Sequence, residues 1–286
     1  MSDKKIDSKE VGLELGLVLG RYFLKTDDLH YGYWPDDLEV DVSNFQTAQK
    51  YYSDFIFSHI PEGTQKVLDV GSGSGNFAKR LVDNKYSVDC VSPSKYLTNQ
   101  IQDKLGDSVE VFPCIYEDVQ TEKRYDLILF SESFQYINIQ SALDKSSKLL
   151  RKNGHVLICD FFRTNAEGKS PLGGGHILSE FEENIIQFPF NEIKNIDITK
   201  QTAPTIQILD DFLNKVGLPF KNMLSSYVQS NYPGFSKLLN WKFNKRFKKI
   251  NRVYFSGSMR SEAFQKFKSY RLFLYKMKKL TIVSVS

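Results

Sequence analysis

Residues 67–75 read Val-Leu-Asp-Val-Gly-Ser-Gly-Ser-Gly, an apolar run of strand length that leads directly into three glycines at alternate positions. Glycine has no Cβ, so such a loop can turn sharply and lie against a ligand. The amphipathic residues 76–85 follow at once, and the first N–H groups of a helix that begins there are free to donate to a ligand. The segment therefore predicts a strand, a ligand-binding loop and a helix, in that order.

The spacing of these glycines limits the classes of ligand that the loop can be expected to bind. It differs from the Gly-x-Gly-x-x-Gly fingerprint of dinucleotide-binding folds, and the Lys-Ser/Thr pair of a P-loop is absent. We therefore expect a nucleotide-like ligand, and cradling of its phosphates is disfavoured.

Short apolar runs alternate with longer amphipathic stretches along the rest of the chain. We predict strands at residues 66–70, 87–92, 109–116, 125–130, 155–161, 192–199 and 270–275. Helices are predicted at residues 44–60, 76–85, 95–105, 139–151 and 179–187, and between residues 204 and 251. Nearly continuous apolar strands, such as residues 127–130, are typical of a parallel sheet that helices cover on both faces.

The form Asp-x-Gly-x-Gly-x-Gly, carried by Asp69, Gly71, Gly73 and Gly75, resembles motif I of the class I S-adenosylmethionine-dependent methyltransferases. The resemblance extends over about residues 46–162. It implies a Rossmann-like methyltransferase fold in which this loop holds the methionine end of S-adenosylmethionine. The four residues are therefore expected to bind the cofactor.

Two further cofactor positions follow from the resemblance. In that family the second strand ends in an acid that grips both ribose hydroxyls, and Ser92 stands at that place here. One hydroxyl satisfies only part of a ribose diol, so contact with the ribose must be weaker or shared. After the third strand, Asp118 stands where the family usually has an acid near the adenine amino group.

Residues 131–137 follow the fourth strand and resemble the motif that lines the methyl-transfer site of the family. Ligands of open α/β sheets gather at the carboxyl ends of the strands, which favours a cofactor contact for Ser131 and a catalytic role for Glu132. The alternative is that the acid only caps a helix. His176, after three glycines, is a second candidate base because an ordinary histidine pKa suits proton removal.

Residues 29–34 read Leu-His-Tyr-Gly-Tyr-Trp and resemble the aromatic lid of small-molecule and lipid methyltransferases, including the sterol, tocopherol, glycine/sarcosine and cyclopropane-synthase branches. Aromatic faces attract a sulfonium charge, so Tyr31 and Tyr33 are expected to close over the cofactor. The alternative is an aromatic cluster that anchors the N-terminal segment on the core.

The order of the elements predicts an α/β fold with a mostly parallel seven-stranded sheet, helices on both faces and a helical insertion before the last strand. We expect an N-terminal lid segment at residues 1–43 and the S-adenosylmethionine-binding core at residues 44–203. Residues 204–268 are expected to form a helical substrate cap, and residues 269–286 the last core strand and a tail.

The composition of the 286 residues, 41% hydrophobic and 25% charged, is typical of a water-soluble globular protein. The longest apolar stretch, residues 11–24, contains charges and is shorter than the roughly 20 residues that cross a bilayer. Three scattered cysteines and the absence of closely spaced Cys or His pairs argue against a disulfide framework and a metal site. We therefore expect a cytoplasmic protein without a metal.

Charge is distributed unevenly along the chain. Residues 236–286 hold 14 Lys and Arg and a single acid, which gives +13, whereas the preceding part carries −9. Aromatic residues are interleaved with these bases, so we expect weak contact with anionic membrane surfaces or anionic substrates. A solvated helix face is the alternative.

The resemblance implies a methyltransferase that acts on a small-molecule or lipid-like acceptor, hydrophobic or aromatic in character. A nucleic-acid methyltransferase is the second hypothesis, supported by the basic tail but not by any Asn-Pro-Pro-Tyr motif. A non-catalytic binding protein, supported by Ser92, and methylene transfer to an unsaturated lipid are the others. Specific nucleic-acid binding is not expected.

Overall fold

The computed structural model describes residues 8–168, 170–255 and 259–278, and its centre is a seven-stranded sheet. The strands are β1 (Lys66–Val70), β2 (Ser87–Val91), β3 (Val109–Phe112), β4 (Tyr125–Ser131), β5 (Leu150–Arg163), β6 (Phe190–Asp197) and β7 (Lys268–Met277). Their order across the sheet is β3-β2-β1-β4-β5-β7-β6. β1 to β5 pair in parallel, and β7 is antiparallel to both of its neighbours. The predicted mostly parallel α/β fold is thus confirmed.

Ten α-helices occur in the described part of the chain. They are α1 (Ser8–Leu19), α2 (Phe45–Ser58), α3 (Asn76–Asp83), α4 (Lys95–Leu105), α5 (Ile139–Leu149), α6 (Leu178–Ile185), α7 (Thr199–Phe212), α8 (Leu218–Asn231), α9 (Pro233–Tyr254) and α10 (Ser261–Phe267). None of them combines the length and the hydropathy that a membrane-spanning helix needs.

Helices cover both faces of the sheet because each face carries its own apolar cluster. On one face, residues of α5 and α6 pack on the sheet, with Leu143 and Phe181 fully buried. On the other face, α2, α3, α4, α7 and α10 bury residues such as Tyr52, Ile101 and Phe264. The carboxyl ends of β1, β2 and β4 lie side by side between these layers, which prepares a cleft there.

Some predicted boundaries are wrong for local reasons. The helix predicted at residues 139–151 ends at Leu149, because β5 already begins at Leu150 and the Asn-Gly pair at 153–154 lies within this strand. Asn153 adopts a left-handed φ of 65°, and the register between β4 and β5 shifts at this point, so the pair marks an irregularity within the strand. The helices after β6 begin at Thr199, so Pro204, the expected start, lies inside α7. Residues 1–7 of the expected lid segment, residue 169 of the expected core, and residues 256–258 and 279–286 of the expected cap and tail lie outside the described residues.

Candidate active site

A cleft of about 290 Å³ lies at the carboxyl ends of β1, β2 and β4. Six of the predicted site residues line it: Asp69, Gly71, Gly73, Ser92, Ser131 and Glu132. The other predicted residues, which are Tyr31, Tyr33, Gly75, Asp118 and His176, are not among its lining residues. The structure thus brings the motif after β1 together with the strand ends of β2 and β4.

The three motif glycines have different structural roles. All have positive φ, at +77° for Gly71, +54° for Gly73 and +84° for Gly75, a region that side chains rarely adopt. A Cβ on Gly71 would overlap the Cβ of Ser133, and one on Gly75 would lie 3.2 Å from Cγ1 of Ile101. A Cβ on Gly73 would meet nothing within 4 Å. Gly71 and Gly75 are therefore needed for packing, whereas Gly73 leaves the cleft open.

Asp69 carries the polar group of this loop. Its side chain is buried, it lines the cleft, and its Oδ2 has no hydrogen-bond partner among the described residues. Burial raises the pKa of the carboxyl to about 7. A buried carboxylate oxygen without a partner is costly, and a cationic donor such as the ammonium group of S-adenosylmethionine would supply one. The residues present fit this cofactor.

Of the two residues predicted to bind the ribose and the adenine, Ser92 lies in the cleft wall and Asp118 does not. Ser92 follows β2 directly and is buried in the cleft wall, and the N–H of Gly71 donates to the carbonyl of Val91 at 2.9 Å. The end of β2 and the glycine loop are therefore neighbours, as the cofactor prediction requires. Asp118 is exposed in a 3-10 turn after β3 and is not one of the lining residues, so its contact with adenine stays a prediction.

Glu132 is held in place by residues from distant parts of the chain. It has a left-handed φ of 54° directly after β4, and its Oε1 accepts hydrogen bonds from the Tyr31 backbone N–H at 2.7 Å and the Tyr270 hydroxyl at 2.6 Å. The Tyr52 hydroxyl lies 2.8 Å from that of Tyr270. Burial raises the pKa of the Glu132 carboxyl to about 8. The side chain is not a helix cap.

The aromatic lid segment is packed on the core. Tyr31 lies 5.8–6.0 Å, centroid to centroid, from the rings of Phe161, Phe264 and Tyr270, and Tyr33 stacks on Phe55 at 5.3 Å. Direct contact of Tyr31 and Tyr33 with the cleft is therefore not observed, and the anchoring alternative describes their packing. Leu29 and His30 of the same segment do line the cleft, which the sequence reading missed.

His176 is in no position to accept a proton through Nε2. This nitrogen lies 3.1 Å from the carbonyl oxygen of Phe134 and 2.9 Å from that of Ile137. Carbonyl oxygens only accept hydrogen bonds, so Nε2 carries the proton and donates it. His176 thus ties the glycine-rich segment 171–175 to the turn after β4. Because it does not line the cleft either, we do not retain it as a candidate base.

Two buried charged residues near Glu132 gave no signal in the sequence. Asp160, near the end of β5, accepts hydrogen bonds from the backbone N–H and the side-chain amide of Gln135, and burial raises its pKa to about 7. Lys268, at the start of β7, donates to the carbonyls of Gly173 and Gly174, and burial lowers its pKa to about 8. Asp160 and Lys268 are far apart in the sequence and come close together only because β5 pairs with β7. No group of three His, Cys, Asp or Glu in the described ranges is arranged to hold a metal ion.

Comparison with known proteins agrees with this geometry. A methyltransferase domain family matches residues 45–203, more than half of the chain. A malonyl-[acyl-carrier protein] O-methyltransferase of Ilyobacter polytropus is 25% identical over 232 residues, which cover 74% of this chain and 80% of the relative.

Two solved structures share the fold. The cyclopropane synthase MmaA2 of Mycobacterium tuberculosis superposes with a TM-score of 0.67 at 14% identity, over 96% of this chain and 100% of that one. The geranyl diphosphate C-methyltransferase of Streptomyces coelicolor A3(2), solved with Mg²⁺, geranyl-S-thiolodiphosphate and S-adenosyl-L-homocysteine, gives 0.63 at 13% identity, over 93% and 91%.

The chain belongs to the methyltransferase domain family. It is an S-adenosylmethionine-dependent methyltransferase with the Rossmann-like fold, and the cleft at the ends of β1, β2 and β4 contains the motif that the sequence assigns to the cofactor.

Proposed function

We propose that the protein transfers a methyl group from S-adenosylmethionine to a small, hydrophobic or aromatic, lipid-like acceptor. The observation that carries the proposal is the Glu132 carboxyl in a cleft wall that also contains the apolar and aromatic side chains of Leu29 and Tyr136. The names of the malonyl-carrier, geranyl diphosphate and cyclopropane enzymes support an acceptor of this class.

In this proposal, the residues at one end of the cleft bind the cofactor, and Glu132 at the other end acts on the acceptor. The cofactor, when bound, supplies a methyl group that is already activated as part of a sulfonium. Asp69 would bind its ammonium group, Gly73 lets the backbone approach it, and Ser92 contributes a hydroxyl toward the ribose. Glu132 orients the acceptor or removes its proton, and a carboxylate whose pKa is raised to about 8 is a stronger base than an exposed one.

Transfer of label from methyl-tritiated S-adenosylmethionine tests this proposal. The purified protein is incubated with a panel of fatty acids, prenyl diphosphates and phenols, and with total RNA as the competing acceptor. We expect label in the organic extract, and none there with Gly73→Val. Label that appears only in RNA would replace the proposal with the nucleic-acid hypothesis, and no label in any pool would favour a binding protein.

We also propose that the helical pair α8 and α9 contacts an anionic membrane surface. Phe220, Met223, Leu224 and Tyr227 recur at helical spacing on one face of α8, and each is more than half exposed. On α9, Trp241 is 79% exposed beside the exposed bases Lys242 and Lys245. Exposed apolar residues with neighbouring positive charge suit an interfacial helix on anionic lipid.

Vesicle flotation tests this contact. The protein should float with phosphatidylserine-containing vesicles at low salt, less so at high salt, and weakly with neutral phosphatidylcholine vesicles. Lys242→Glu combined with Lys245→Glu should abolish flotation, whereas Lys152→Glu, at an exposed lysine in β5, should not. Equal flotation with both lipids would contradict the proposal, and tight binding of RNA instead would favour the nucleic-acid hypothesis.

A further inference from the structure

The cleft lacks an acid at the end of β2, and the structure offers a replacement from another element. Ser92, the residue directly after β2, presents one hydroxyl, whereas a ribose diol offers two donors. Two residues further on, Ser94 also lines the cleft and is buried. A carboxylate from another part of the chain that contacts Ser94 would therefore lie close to position 92, where the family has its ribose-binding acid.

Helix α1 supplies such a carboxylate. The Ser94 hydroxyl donates to Oε2 of Glu10 at 2.9 Å. Leu13, one turn later on the same helix, lines the cleft itself. Beyond the helix, Arg21 donates to the side chain of Gln100 on α4. Two contacts thus fix the N-terminal segment against α4, the helix that begins right after Ser94.

The hydrogen bonds of Ser94 fix the direction of this contact. Its hydroxyl oxygen accepts from the backbone N–H of Leu97 at 3.1 Å, as the N-cap of α4. Its single proton is therefore free to point at Glu10. A carboxylate accepts several hydrogen bonds, so Glu10 keeps acceptor sites for other donors after it has bound Ser94.

We propose that Glu10 replaces the strand-end acid and binds the ribose hydroxyls of S-adenosylmethionine, with Ser94 as its positioning residue. Helix α1 is then part of the cofactor site. Glu10 is not itself a lining residue of the cleft and reaches it through Ser94. Asp28, another acid of the N-terminal segment, does line the cleft, but it accepts from the side chain of Asn76 on α3, beside the β1 loop. The inference rests on the assignment of S-adenosylmethionine as the cofactor.

Calorimetric titration with S-adenosylhomocysteine tests the inference without an acceptor. We expect Glu10→Gln to weaken binding about tenfold, because the lost hydrogen bonds involve a charged group. The matched control is Glu14→Gln, which removes the same charge from an exposed position of the same helix and should leave the affinity unchanged. Circular dichroism and the melting temperature check that each variant is folded.

Two further titrations identify the ribose as the partner. The 2′,3′-dideoxy analogue of S-adenosylhomocysteine, which lacks both ribose hydroxyls, should bind the wild type and Glu10→Gln almost equally. Ser92→Asp should restore part of the lost affinity in the Glu10→Gln background. Equal binding of the normal ligand by the wild type and Glu10→Gln overturns the inference while the cofactor assignment stands. Failure of the wild type to bind S-adenosylhomocysteine overturns both.

Discussion

The two ends of the cleft are built in different ways. At the β1 end, Asp69, Gly71 and Gly73 lie within five consecutive residues, and their positions follow from one strand and one turn. At the β4 end, Glu132 is held by Tyr31, 101 residues before it, and by Tyr270, 138 residues after it. The β1 loop is thus a local motif, whereas the acceptor end exists only in the folded chain.

The acids at the two ends of the cleft, Asp69 and Glu132, also differ in how fully their hydrogen bonds are satisfied. Oδ2 of Asp69 has no hydrogen-bond partner among the described residues, as expected of a group whose partner is a bound ligand. The carboxyl of Glu132 already accepts two hydrogen bonds, one of them from the backbone of the lid segment. We infer that substitutions at the β1 end change cofactor affinity, and that substitutions at the β4 end change turnover.

The largest expected effect is at Gly73. A valine there would point its side chain into open space at a left-handed φ of 54°, where the cofactor approaches the backbone. We expect affinity for S-adenosylhomocysteine to fall on the order of 10³-fold in Gly73→Val, by calorimetry.

The matched control is Gly63→Val. Gly63 also has a positive φ, +78°, with open space around its Cβ position, but it lies before β1 and away from the cleft. Its replacement should cost similar stability and leave the affinity unchanged. An equal loss of affinity in both variants would show that strain, and not cofactor contact, explains the effect.

The next largest effect is at Glu132. Glu132→Gln keeps an oxygen for the Tyr31 N–H but removes the base, so kcat should fall about 10²-fold with little change in cofactor affinity. The measurement is steady-state turnover of whichever acceptor takes label in the tritium assay. Glu122→Gln, at an exposed acid before β4, should behave like the wild type. Unchanged turnover in Glu132→Gln would leave this residue only its role in holding the lid segment.

A smaller effect concerns stability and pH. Burial raises the pKa values of Asp69, Glu132 and Asp160 to about 7, about 8 and about 7, whereas in the unfolded chain such groups ionise near pH ~4. In this window the folded protein binds more protons than the unfolded one, so its stability falls as the pH rises from about 4 toward 8. We expect the melting temperature to drop by about 5 °C or more between pH 5.5 and pH 8.

The variants Asp69→Asn and Glu132→Gln provide the control for this prediction. Each removes one of the raised pKa values, so each should flatten the dependence of the melting temperature on pH. A melting temperature that rises over the same range in the wild type would mean that the buried carboxyl groups are ionised in the folded protein.

The contrast between the two ends also explains which parts of the fold and of the site could be predicted from the sequence. The sheet and the cofactor loop were predictable because the apolar runs and the Asp-x-Gly-x-Gly-x-Gly spacing are local. The pairing of Glu132 with Tyr270, and the position of Lys268, depend on β7 reaching β5 from the far end of the chain. His176 stands in a promising segment, yet its carbonyl partners are invisible in the sequence.

The central claim, that Asp69 binds the ammonium group of S-adenosylmethionine, is tested most directly by titrating S-adenosylhomocysteine at pH 6 and pH 7.5. Since the Asp69 pKa is about 7, more of the carboxyl is ionised at the higher pH, and the ligand's amino group remains largely protonated. The wild type should therefore bind several-fold more tightly at pH 7.5. Asp69→Asn should bind weakly, with equal affinity at both values. An Asp69→Asn variant that binds as tightly as the wild type at both pH values would contradict the account.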